Sequence, residues 1–217
     1  HSQDTAGPMT KDVRTAALLL TALAGSDPAD AATAEADTRR TDYVAALKPD
    51  ALKGQRIGVL RFATGWHSGV DAQFEKALAV LKAQGAELVD IARFDGRREM
   101  GQNEFPVLLT ELKADLNAYL ATTPASVKTR TLADVIAFNK ANAATEMGLF
   151  GQDTFEKAEA TKGLDDPAYR KARETSLRLA GKEGIDKMLA DNRVVALVAP
   201  TAAPAWQQIV VFVSLAS

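Results

Sequence analysis

The stretch Leu52-Lys-Gly-Gln-Arg-Ile-Gly-Val-Leu-Arg-Phe62 constrains the fold more than any other part of this chain. A Lys-Gly turn feeds a short apolar run without polar alternation, the pattern of a strand buried on both faces as in a parallel sheet. The residues after it complete a unit. Ser68 and Asp71 have the spacing of a capping box, Val70, Phe74, Ala77, Leu78 and Leu81 share one helical face, and Gly85 supplies the stop. Ala86 to Ile91 is then a second strand. Strand, helix and strand within about 35 residues make a βαβ unit, whose crossover is right-handed. The chain is therefore predicted to build an α/β fold.

Helices dominate the remainder. Thr10 is placed to cap a helix carrying Val13, Ala16, Ala17, Leu20 and Leu23 at the 3.6-residue period, with Gly25 as its end. Ser26 to Thr41, rich in Ala, Asp and Thr, reads as an exposed connector. Glu104 to Leu120 is predicted helical with Pro106 in its first turn. Thr131 and Asp134 have capping-box spacing for a helix through Asn142, and Asp153 with Glu156 opens another. Asp166-Pro167 sets an N-cap followed by Pro at the first helical position, and one helix then keeps Tyr169, Ser176, Leu177, Ala180, Ile185, Met188 and Leu189 in phase. Val194 to Val198 is a third buried strand, and Gln208 to Val213 a weak fourth. So few strands need neighbours that this inventory lacks, because strands buried on both faces need other strands as well as helices.

Charge and composition narrow the function. Lys and Arg number 26 against 28 Asp and Glu, a net charge of -2, and no basic stripe is present. Such a balance points away from nucleic acid and toward a neutral or small-molecule partner. The absence of cysteine excludes disulfides, thiolate metal sites and a Cys nucleophile. Ile209 to Val213 is the longest apolar run, far short of the roughly 20 residues of a membrane helix, so a soluble chain on either side of a bacterial membrane is expected. His1 beside Ser2 and His67 in a loop lack the neighbours of a Ser-His-Asp hydrolase, and no Gly-x-Ser-x-Gly occurs. Two separated histidines do not have zinc-motif spacing, and no phosphate-binding Gly-rich motif follows a strand. Asp165-Asp166 is better explained by helix capping than by acid-base work. No metal or cofactor is predicted.

Four segments, in order, carry a resemblance: Ser2 to Thr10 with its Asp-Thr-Ala-Gly-Pro core; Glu111 to Leu120; Arg130 to Asn139 with Phe150-Gly-Gln152; and Leu197 to Thr201 with Pro204-Ala-Trp206. Together they resemble the amidase signature family and are most similar to peptide amidases. The resemblance implies an α/β fold with a mixed sheet flanked by many helices. It also implies cofactor-free hydrolysis of a carboxylic or C-terminal peptide amide to acid and ammonia, through a Ser nucleophile, a second Ser in a cis peptide and a Lys relay. In that family all three catalytic residues lie in a Gly/Ser-rich region before the Asp-Thr-x-Gly-Pro motif. Neither Gly-Gly-Ser-Ser-Gly-Gly nor Gly-Gly-Ser-Ile-Arg occurs here, so no catalytic residue is carried over.

The chain is accordingly expected to be the C-terminal part of a single amidase domain over residues 1–206, with the N-terminal half missing and the Lys and both Ser upstream of His1. Residues 207–217 depart from the family pattern and read as a truncated or frame-shifted tail. Alone, the chain is expected to be inactive and aggregation-prone, with strand edges and apolar faces unpaired. Gln3, Asp4, Thr5, Gln152, Thr201 and Trp206 sit in the matching motifs and are the predicted wall of a pocket for a small-molecule or peptide amide. The alternative that composition allows is a non-catalytic α/β binding or interaction domain. A start inside a turn motif favours the fragment.

Overall fold

The computed structural model describes residues 2–3 and 7–201. Along the chain run α1 Val13–Leu23, β1 Arg56–Leu60, α2 Ser68–Ala83, β2 Glu87–Ile91, α3 Arg97–Thr122, α4 Leu132–Ala141, α5 Asp153–Glu159, α6 Pro167–Ala180, α7 Asp186–Asn192 and β3 Ala196–Val198. The strands form a parallel sheet in the order β2-β1-β3, with Ile57 opposite both Leu88 and Ala196. The predicted strand-helix-strand unit is thus present. Ile57 and Val59 of the central strand are buried, and Gly58 between them leaves room for its neighbours. A Cβ at Gly58 would stand 2.7 Å from Leu197 Cδ2 and 2.9 Å from Ile91 Cδ1. The described strands are all parallel, and the weak fourth strand at Gln208 to Val213 lies outside the described residues.

Local signals set most helix ends, though not always through the expected residue. Asp12, in extended backbone, caps α1 by accepting from the Thr15 N–H at 2.8 Å, whereas the Thr10 hydroxyl donates to the Asp12 carbonyl. His67 caps α2 through Nδ1, which accepts from the Val70 N–H at 3.3 Å. Ser68 is already helical and cannot serve, while Asp71 instead accepts from the Gly65 N–H. Gly85 ends this segment at a φ of +89°, which glycine adopts at little cost. α3 starts at Arg97, earlier than predicted, so Pro106 lies in its interior rather than in its first turn. Packing against α5 and α6 offsets the backbone hydrogen bond that proline cannot make.

The Thr131 capping box is complete. Its hydroxyl accepts from the Asp134 N–H at 3.1 Å, and Asp134 Oδ2 accepts from the Thr131 N–H at 3.0 Å. Leu132 and Ile136 behind it join Ala158, Leu109, Leu112, Leu116 and Phe155 in an apolar core between α3, α4 and α5. Thr131→Ala is expected to cost about 1 kcal/mol, measured as a lower thermal midpoint that Thr131→Ser restores. An unchanged midpoint in the alanine variant would show that the box does not stabilise α4.

Two faces depart from the simple periodic reading. On α1 only Ala17 is buried, while Val13 is 71% and Leu23 59% exposed, so the apolar stripe is uncovered among the described residues. Beyond α6 the helix does not keep phase. Buried positions step from Ala172 to Ser176 to Leu179 at helical spacing, then by five to Gly184. The five-residue step falls in a π turn, Gly181–Ile185, which joins α6 to α7. That extra residue turns Ile185 outward, 53% exposed, although its sequence position placed it with the apolar set.

Candidate functional site

Glu111 anchors a polar arrangement that ties together three separate segments of the described residues. It lies in the middle of α3, where Val107, Thr110 and Glu111 are all buried, and its side chain is only 6% exposed. The carboxylate accepts from the Ser2 N–H at 2.8 Å, the Ser2 hydroxyl at 2.6 Å and the Tyr169 hydroxyl at 2.8 Å. Arg173 Nε stands 4.0 Å from the same carboxylate. α3 supplies the acceptor and α6 supplies Tyr169 and Arg173, so the packing of these two helices holds the Ser2-Gln3 segment in place.

Burial by itself would raise the Glu111 carboxyl. Hydrogen bonds to the carboxylate, with Ser2 and Tyr169 among the donors, outweigh it and bring the pKa down from 4.5 to about 2. The Tyr169 hydroxyl is pushed up to about 12, by burial first and then by its bond to Glu111. The sign for stability follows from the depressed carboxyl: its contribution is complete above the unfolded value near 4.5 and disappears as pH falls toward 2. The thermal midpoint is therefore expected to drop over that interval, and Glu111→Gln should flatten the drop. Equal acid sensitivity in the two proteins would remove Glu111 as its source.

Beside this network α3 and α6 enclose an open groove of about 290 Å³, with Met100 and Glu104 on one wall. Arg173, Ser176, Leu177 and Ala180 form the other, and Ser2 and Gln3 lie at its edge. Ser176 is 6% exposed, and its buried Oγ has no hydrogen-bond partner among the described residues.

The predicted pocket residues are not gathered together. Gln3 lines the groove. Gln152 ties the start of α5 to α4, its Oε1 accepting from Asn139 Nδ2 at 3.1 Å and its Nε2 donating to the Ile136 carbonyl at 3.2 Å. Thr201 is exposed beyond the C-terminal end of β3. Asp4, Thr5 and Trp206 lie outside the described residues. Glu111, Tyr169 and Arg173 were missed as site residues. A carboxylate at buried helical spacing with Val107 was the available signal for Glu111.

Other candidates for chemistry have structural roles. Lys113 donates to the carbonyls of Glu159 and Thr161 at the end of α5 and pairs with Glu159 Oε1 at 3.0 Å. That is the arrangement of a cation at a helix C-terminus, with no serine in it. His67 is exposed at its cap. Among the described residues no cluster of His, Asp and Glu could hold a metal ion, and no helix is long and apolar enough to cross a membrane.

Comparison with known proteins gives these features a context. A family model described as amidase matches residues 1–216. The structure of a peptide amidase in complex with the competitive inhibitor chymostatin is 46% identical, with a TM-score of 0.86 over 94% of this chain and 42% of that one. The native peptide amidase from Stenotrophomonas maltophilia is 45% identical, with a TM-score of 0.85 over 94% of this chain and 42% of that one. A probable amidase of Arabidopsis thaliana is 33% identical over 208 residues, 90% of this chain and 38% of its own length. The chain thus spans about two fifths of these relatives.

Proposed function

Because the chain belongs to the amidase family, we propose that the protein carrying it hydrolyses amides, with C-terminal peptide amides as the substrate class. The reading rests on the extent of the match: 46% identity to a peptide amidase over 94% of the chain. The proposed mechanism is that of the family. A Lys kept neutral by its surroundings takes the proton of the nucleophilic Ser through a second, bridging Ser, and backbone N–H groups stabilise the oxyanion. The proton passes to the leaving nitrogen, ammonia departs, and water resolves the acyl-enzyme to the acid. No step requires histidine, a metal or a cofactor.

The 217-residue chain contributes scaffold and pocket wall to this chemistry. Its sequence contains neither Gly/Ser-rich motif of the catalytic region, and its half-buried Lys113 is paired with Glu159 at the end of a helix. Gln3, Asp4 and Thr5 border the catalytic region in this reading, with Gln152, Thr201 and Trp206 supporting the wall. A binding or interaction domain that never carried chemistry is the weaker alternative, since the family match covers residues 1–216.

Ammonia release from an N-acetylated dipeptide amide tests the proposal. The complete gene product should release ammonia and acid in equal amounts, whereas the isolated 217 residues should give no more than a heat-killed control. Failure of the complete product removes the amidase reading. Turnover by the isolated chain would place the catalytic residues within it.

A further inference from the structure

We propose that the turn before α2, Thr64 to His67, is held by a latch that acid releases, with the neutral imidazole of His67 as its catch. His67 is the N-cap of α2, in extended backbone, and its Nδ1 accepts from the Val70 N–H at 3.3 Å. Only a neutral ring with its proton on Nε2 can accept there. Caps of this kind are ordinarily Ser, Thr, Asp or Asn, whose oxygens accept throughout the range around neutrality. A histidine makes the cap conditional on pH. The fold also makes room for the ring. A Cβ at Gly69 would stand 3.1 Å from His67 Cε1 and 3.4 Å from Nδ1, so the imidazole rests over the one residue of the first turn that lacks a side chain.

Protonation works against this contact in two ways. It places an N–H on Nδ1, donor against donor at Val70, and it puts a positive charge at the positive end of the helix dipole. The sign follows: the cap belongs to the neutral ring, is complete at mildly alkaline pH and is lost as pH falls. The charges on the surrounding elements have other partners. Asp71, four residues on in α2, accepts from the Gly65 N–H at 3.1 Å and so makes a second tie between the turn and the helix. An imidazolium drawn to Asp71 would compete with that tie. Glu75 of α2 and Asp90 of β2 pair with Arg61 just after β1, and Arg97 of α3 donates to the Phe62 carbonyl. One proton therefore loosens both ties at the carboxyl end of β1, the edge at which open parallel sheets take ligands. Trp66, 47% exposed and with its ring centroid 6.3 Å from that of His67, travels with the turn. Nothing in the latch depends on the amidase reading.

Hydrogen exchange on the complete gene product tests the latch, read by mass spectrometry on the peptide carrying residues 64–71 and corrected at each pH for intrinsic exchange. Between about pH 8 and about pH 5, the span in which histidine changes charge, its protection should fall about fivefold, the equilibrium equivalent of losing one side-chain cap. A peptide from β1 should keep its own protection over the same span. His67→Asn supplies a cap that does not titrate and should hold protection level at both pH values. His67→Ala, which has no acceptor, should be low at both. Equal protection of the unaltered protein at the two pH values overturns the latch, as does full protection in His67→Ala. A fall that persists in His67→Asn also overturns it, because another group would then carry the change, and so does a matching loss in β1, which would mean general loosening.

Discussion

Gly184→Ala is expected to destabilise the protein by about 3 kcal/mol, while Gly181→Ala, three residues away in the same π turn, should be nearly neutral. The contrast follows from what each new Cβ would meet. At Gly184 it would stand 2.2 Å from the Leu179 carbonyl oxygen and 3.2 Å from the Leu179 carbonyl carbon. Backbone cannot move aside as a flexible side chain can, so the turn itself must open. At Gly181 nothing lies within 4 Å of the added methyl. Opening the turn costs more than local geometry, because its extra residue sets the phase between α6 and α7, and α7 packs on β1 and β2. It also moves the end of α6, where Ala180 lines the groove. Urea unfolding of the two variants measures the difference. Equal stabilities would mean that the π turn accommodates a side chain, and the close approach at Gly184 would lose its significance.

Removal of the Glu111 carboxylate comes next in size. Glu111→Ala should cost about 2–3 kcal/mol, from an unsatisfied donor and a cavity in the α3–α6 contact. The loss is uneven among its partners. Ser2 is exposed and can turn its donors to water, whereas the partly buried Tyr169 hydroxyl loses its acceptor. Glu111→Gln keeps the shape and one carbonyl oxygen, and should cost about half as much. Tyr169→Phe in the Glu111→Ala background should then be close to silent, because the two residues share one interaction, and a double-mutant cycle reads that coupling directly. Additive losses in the cycle would show that Glu111 and Tyr169 act independently. Freed from Glu111, the Ser2-Gln3 segment should lose its fixed place at the edge of the groove.

Local features were legible in the residues alone. The Thr131–Asp134 box and the Asp166-Pro167 start depend on short-range hydrogen bonds and on backbone angles that side chains nearby fix. The β1-α2-β2 unit was readable because apolar runs and a glycine stop fall at the right separations. Errors arose where two neighbouring side chains could each accept from the free N–H groups of one helix start. Asp12 and His67 adopt the extended backbone of a cap, and Thr10 and Ser68 cannot cap those helices as well. Pro106 misled for another reason: propensity ends a helix before it, and tertiary packing carries α3 across it.

The site was harder to read. Its key contact joins Ser2 to Glu111 across 109 positions of sequence, and no periodicity encodes such a pairing. Gln152, singled out from its motif, hydrogen-bonds to Asn139 and the Ile136 carbonyl. Ser176 was placed correctly on an apolar helical face, yet nothing in that placement says whether its hydroxyl finds a partner.

The sequence by itself determined the strand-helix-strand unit, most helix boundaries and membership in the amidase family, because each depends on residues close together or on a matched order of motifs. Only the tertiary structure decided that Glu111 is a buried carboxylate shared by Ser2 and Tyr169, that a π turn rephases the last helices, and that the Ser176 hydroxyl is buried with no partner among the described residues. Burial and partnership are properties of segments brought together from far apart. For a carboxylate or a hydroxyl, they decide whether the group is solvated surface or part of a site.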